Sequence, residues 1–210
     1  MSPSRKTLCL LMFISCISIQ ECKGDDAKGY YNPPVECSRV DCPPFTVIYG
    51  EKDFEIRNYS QSLWVTAPGV EQYSLMGGLG KAGNNLIPYY YRQINQGMSF
   101  VPYGPLVMMD VINSTYTNYF YVPHKYQNGG LPKPFTPEIK QVKLPKYKYA
   151  AVRRIHGEIS DENVAAQVDA LRKNLKASAY QRAADRPQFT FVLYIWGIFN
   201  QGYELLIWFD

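Results

Sequence analysis

Residues 45–67, FTVIYGEKDFEIRNYSQSLWVTA, set the fold class. Three runs of β-formers lie close together at 45–49, 54–59 and 63–67, and Gly50-Glu51-Lys52-Asp53 separates the first two. Apolar side chains that alternate or cluster in short runs around a polar turn read as antiparallel hairpin strands. Downstream the pattern changes. Residues 71–96 carry small residues, then Leu86, Ile87, Tyr90, Tyr91 and Ile94 at helical spacing. Pro88 suits the first turn of a helix starting near Asn85 and argues against one continuous helix from Glu71. Strands are expected again at 98–102, 105–112 and 117–122.

Asn128-Gly129-Gly130 and Pro132, Pro134 and Pro137 form a loop between halves. The second half repeats the first in outline. Strands are expected at 138–144 and 147–155, then a helix from Asp161 to Ala177. Ser160 is its N-cap, and Val164, Val168, Leu171 and Leu175 form its buried stripe. Strands 189–196 and 203–209 close the chain around Asn200-Gln201-Gly202. Too few helices exist to cross over parallel strands, so the fold class is α+β with a mostly antiparallel sheet.

The N-terminus reads as a targeting segment. Arg5 and Lys6 precede the apolar run Leu8–Ile19, which is too short to span a bilayer, and Cys22 and Gly24 suit a cleavage before Asp25. The expected organisation is a signal peptide at 1–24, an extension at 25–36 and one domain at 37–210. The 210 residues carry a net charge of +4 with 22 basic and 18 acidic side chains. Removal of 1–24 takes away three basic residues and one acidic residue and leaves +2. Such a mild charge argues against a nucleic-acid partner that works through phosphate contacts. No spanning segment is expected after cleavage, and the address is extracellular or vacuolar.

Cys37 and Cys42 remain after the leader is removed. In an oxidising compartment this pair reads as a short-loop disulfide, while a metal site would lack a second ligand pair. Two glycosylation sequons begin at Asn58 and Asn113. Asn58 shares strand parity with Phe54 and Ile56, whereas Asn113 falls in the polar break NSTYTN and suits a glycan better.

Few motifs point to chemistry. Gly78-Leu79-Gly80-Lys81-Ala82-Gly83 matches G-x-G-x-x-G, but no strand precedes it and no acid lies between Glu71 and Asp110 to hold a ribose. It reads as a flexible loop or a frayed helix. No nucleophile motif occurs, so no catalytic residue is assigned and a non-enzyme is expected. His124 and His156 could each ligate haem iron or merely face solvent. Asp110 and Glu204 lie within apolar strands, where a carboxylate must pair with arginine or face water. The basic run Lys133, Lys140, Lys143, Lys146, Lys148, Arg153 and Arg154 is either a solvated strand face or a positive rim for carboxylates. The 18 tyrosines suit a cleft for a planar molecule and equally an aromatic core.

With these segments in place, the chain resembles the SOUL haem-binding family from about Cys37 to the C-terminus. The resemblance rests on Cys42-Pro43-Pro44-Phe45 with Asp53-Phe54-Glu55-Ile56-Arg57-Asn58-Tyr59, and on Tyr119-Phe120-Tyr121-Val122-Pro123. It continues through Val152-Arg153-Arg154-Ile155-His156-Gly157 and Ala170-Leu171-Arg172 to Leu175. It implies a distorted antiparallel β-barrel of two similar halves, each with a helix. It also implies reversible binding of haem or another tetrapyrrole, an amphipathic planar molecule, without an obligatory axial ligand. By the same resemblance the groove would use Leu86, Ile87, Tyr90, Tyr91 and Met108, with Lys81 or Arg92 meeting the propionates. An alternative function is a non-catalytic interaction or defence protein that uses the barrel only as a scaffold.

Overall fold

A computed structural model describes residues 34–84, 86–94, 106–195 and 201–210. The expected leader at 1–24, most of the extension, Asn85 and the expected strand at 98–102 lie outside the described residues.

The first half supplies β1 (Phe45–Gly50), β2 (Glu55–Tyr59), β3 (Ser62–Thr66), β4 (Val70–Glu71), α1 (Leu75–Gly83) and α2 (Leu86–Tyr89). A π-type turn at Tyr90–Ile94 follows, then β5 (Val107–Ile112) and β6 (Thr115–Tyr121). The second half supplies β7 (Lys140–Leu144), β8 (Tyr149–Arg154), α3 (Asp161–Lys176), α4 (Gln181–Ala184), β9 (Phe189–Ile195) and β10 (Gln201–Phe209). All pairings are antiparallel, in the order β1-β2-β8-β10-β9-β5-β6-β3-β7, with β4 on β6. The halves therefore interleave: β2 pairs β8, β3 pairs β7 and β5 pairs β9, so neither half owns a sheet.

Side-chain parity divides this sheet into two faces. One carries Val107, Met109, Phe120, Phe191, Leu205 and Ile207, covered by Leu75, Leu86 and Tyr90 from the first half and by Val164, Val168, Leu171 and Leu175 from α3. The other carries Trp64, Leu106, Met108, Tyr121, Val152, Val192, Tyr194 and Leu206, and among the described residues no helix covers it. These side chains are nevertheless buried, because the sheet curls round on itself and Val40 and Cys42 close over it. The result is a curled antiparallel half-barrel: the strand pattern implies its α+β antiparallel class, and the family resemblance implies the barrel.

Local chemistry explains the helix starts. Ser160 Oγ accepts from Asn163 N at 3.1 Å and caps α3. Ser74 Oγ accepts from Gly77 N at 3.1 Å and caps α1. Asp161 joins the two caps, since its Oδ1 accepts from Leu75 N at 2.7 Å. Cys37 and Cys42 form the expected disulfide, with Cα atoms 5.6 Å apart just ahead of β1. Lys140 and Lys143 stand exposed on the edge strand β7, which is how lysines blunt an open strand edge.

Candidate ligand-binding site

The glycine-rich stretch that reads as a loop or frayed end is a capped helix, α1, and its glycines have packing roles. Gly78 lies on the ring of Tyr116, where an added Cβ would stand 2.2 Å from Cγ. Gly83 is buried beside Asn118 and Phe120, and Asn118 Nδ2 donates to the Leu79 carbonyl at 2.8 Å. The glycines thus bring the helix backbone down onto β6; a helix–sheet contact this close explains the motif without any phosphate. Gly80 faces the other way, and a Cβ there would meet nothing within 4 Å.

That outer face is apolar and exposed. Met76 and Gly80 are one turn apart on this face, and Lys81 is exposed on the adjoining side of the helix. Ile87 Cδ1 comes within 3.6 Å of a Cβ built at Gly83, so this partly exposed side chain packs on the end of α1. Met76 is 54% exposed, Ile87 44%, and Tyr73, just ahead of the helix, is fully exposed. Isolated exposed hydrophobes are ordinary; here three, Tyr73, Met76 and Ile87, fall within one short helical region.

The expected groove residues separate on this frame. Ile87, Lys81 and Arg92 are exposed on the first helical segment. Tyr91 is half-buried, its ring edge-on to Tyr90 at 5.6 Å. Leu86 and Tyr90 point the other way, into the core, where Tyr90 lies edge-on to Phe120 at 6.1 Å. Burial pushes the Tyr90 hydroxyl well above its ordinary range, as for a core tyrosine. Met108 belongs to the opposite face of the sheet, so the structure does not bring it to the helix at all. Its neighbours Val107 and Met109 are the β5 residues that face the helices. Strand parity could have shown this, because Met108 shares its face with Leu106 and Asp110. Met76, Gly80 and Tyr73 were not in the expected set; a helical wheel drawn from Ser74 would have found the first two.

Other candidates resolve into structural roles. His124 donates its backbone N–H to Asp41 Oδ2 at 2.9 Å, its Nε2 meets the Cys42 carbonyl at 3.0 Å, and its Nδ1 lies 3.5 Å from Asp41 Oδ1. His156 is exposed after β8, away from any cluster of metal-binding side chains among the described residues. Asn113 and Ser114 form the exposed β5–β6 turn with φ of 47° and 63°, while Asn58 is half-buried on β2. Asn tolerates the left-handed region better than most residues, which suits it to this turn.

Glu204 pairs as a buried carboxylate must. Arg57 Nη1 and Nη2 donate to its two oxygens at 2.9 Å each, and Tyr194 Oη donates at 2.7 Å. Arg57 also donates to Glu55 and to Tyr59 Oη, and its guanidinium lies 4.4 Å from the Phe45 ring centre. Burial pushes the Tyr59 hydroxyl up to about 12. A cavity of about 260 Å³ opens beside this cluster, walled also by Arg153 and Arg154. Arg153 is spent on Gln167 and the Asp53 carbonyl, and Arg154 on Glu36, so the cluster is a structural clamp between β2, β8 and β10. Asp110 differs: it has no arginine and accepts from Thr190 Oγ1 at 2.5 Å.

Comparison with known proteins bears on this frame. The SOUL heme-binding protein family matches residues 40–207. No curated protein matches. Among solved structures the chain is similar to a hydrolase from Listeria innocua, at 11% identity and a TM-score of 0.46, over 75% of this chain and 92% of that one. The family match runs from the residue before the Asp41–Cys42 loop into the last strand, spanning every described sheet strand and both helical faces. The chain therefore belongs to the SOUL heme-binding protein family, a family that binds haem.

Proposed function

We propose that the protein is a secretory-route binding protein that holds haem, or a related tetrapyrrole, reversibly and without catalysis. The surface is the outer face of α1 and the start of α2, and no axial iron ligand is required. One observation carries this reading: Met76 and Ile87 are exposed apolar side chains on the first helical segment, Gly80 leaves the outer face of α1 open, and Lys81 and Arg92 are exposed on the same segment. A porphyrin has that complementary form, an apolar disc with carboxylates at one edge. Covering about 300 Å² of apolar surface gains about 7 kcal/mol at ~25 cal/mol/Å², before association losses. Lys81 and Arg92 would meet the carboxylates, and Tyr91 would border the ring; Leu86 and Tyr90 support the segment from beneath. The Cys37–Cys42 disulfide supports the secretory route, since such bonds persist in oxidising compartments.

The test is a haemin titration of the Lys81→Glu/Arg92→Glu variant beside the unmodified chain. Reversing both charges should weaken binding about tenfold or more at low salt, with the far-ultraviolet circular dichroism unchanged. Equal affinity in the two proteins places the ligand elsewhere.

A further inference from the structure

The sheet face away from the helices opens at one end into a second cleft. Two adjoining hollows of about 240 and 210 Å³ share Asp110, Tyr147, Gln188 and Trp208 as walls. Met108 and Tyr119 extend the wall of one hollow, and Phe189 that of the other. The walls are aromatic and half-exposed, and the polar groups are sorted by position. Asp110 comes from β5 and accepts from Thr190 Oγ1, which in turn accepts from Trp208 Nε1 at 2.9 Å. Lys146 lines the rim of one hollow and Arg186 that of the other, where its guanidinium lies 5.5 Å from the Tyr147 ring centre.

We propose that this cleft binds a small aromatic acid, a planar ring with an N–H or O–H donor at one edge and a carboxylate at the other. The ring lies between Tyr147 and Trp208. The donor is directed to Asp110, and the carboxylate to Lys146 and Arg186. The pairing follows from what each group lacks. The hydrogen bonds to Asp110 come from hydroxyls, Thr190 and Tyr119, with the Lys146 charge nearby, and burial raises its carboxyl above the usual range. A carboxylate kept in such a place without an arginine is a costly feature unless a ligand supplies a further donor. Arg186 has no acidic partner within 4 Å among the described salt bridges, and Lys146 attracts Asp110 only from beyond that distance, so both can receive a carboxylate. The hollows lie on the sheet face that carries Met108, opposite the face the helices cover, so this site is separate from the α1 face.

Indole-3-acetate is the probe, with 1-methylindole-3-acetate as the control that keeps ring and carboxylate but removes the donor. Saturation-transfer NMR and calorimetry on the full chain should show binding of the first in the micromolar to low millimolar range. The methylated control should bind at least tenfold more weakly, and Asp110→Ala should erase the difference between the two. The comparison of ligands on unmodified protein stands even if that variant fails to fold. Saturating haemin should leave the indole affinity unchanged whether or not haemin binds the α1 face. Absence of binding at several millimolar, equal affinity of the two indoles, or displacement by haemin overturns the proposal.

Discussion

At the scale of single residues, Arg57 and Asp110 are opposites. Every N–H of Arg57 has an acceptor in Glu204, Glu55 or Tyr59, and its removal leaves Glu204 buried with only Tyr194 as donor. Arg57→Leu should cost about 3–5 kcal/mol in urea unfolding, and Arg57→Leu/Glu204→Leu much less, because the stranded charge goes with its partner. A milder effect of the single change would mean the pair is solvated. Tyr59 adds a pH dependence. Its hydroxyl keeps its proton up to about 12 in the folded chain but ionises near 10 when unfolded. The unfolded state therefore sheds protons first, and stability should fall as pH rises from 10 towards 12 while staying level below 10. Urea midpoints measured across that range check the direction, and Tyr59→Phe should lessen the fall, the remainder coming from other tyrosines that burial raises, such as Tyr90 and Tyr119. The sequence made the Glu204–Arg pairing legible only as a requirement. It could not name Arg57, which lies 147 positions away and meets Glu204 only across β8.

At the scale of elements, α1 shows why a helix can hide in a sequence. Gly77, Gly78, Gly80 and Gly83 each lower intrinsic helix propensity, and nothing local says that Tyr116 will press against the backbone. The helix is dictated by its contact with β6 and by the Ser74 cap, both tertiary in effect. The strands were legible because alternation is a local signal, as was α3 with its Ser160 cap and four-residue apolar stripe. The same glycines give opposed expectations. Gly78→Ala should destabilise by roughly 1–3 kcal/mol through overlap with Tyr116, despite alanine's better propensity. Gly80→Ala, with open space before it, should stabilise by up to about 1 kcal/mol. Thermal unfolding of the two variants separates them; a matching sign would mean α1 does not sit where it is described. Gly80→Glu should leave the fold intact and weaken haemin binding, since it raises a charged side chain on the open outer face of α1.

At the scale of the whole molecule, the curled sheet keeps two unlike surfaces apart. One lies outside the helices, apolar and rimmed with cations; the other opens at the end of the uncovered face, aromatic and floored by Asp110. The family and its half-barrel were legible from the order of short motifs, because that order survives when each motif is weak. The site was less so. Met108 sits on the wrong face for α1, and Leu86 and Tyr90 belong to the core, since helical spacing alone does not tell the inner stripe from the outer one. The most direct measurement is a haemin titration of the intact chain, followed at the Soret band, alongside His124→Ala/His156→Ala. Binding on the α1 face predicts a shifted Soret band with a Kd of about 1 μM, or about −8 kcal/mol, and the same affinity in the double variant. An unshifted band at ~50 μM protein, or affinity lost with the histidines, would contradict it.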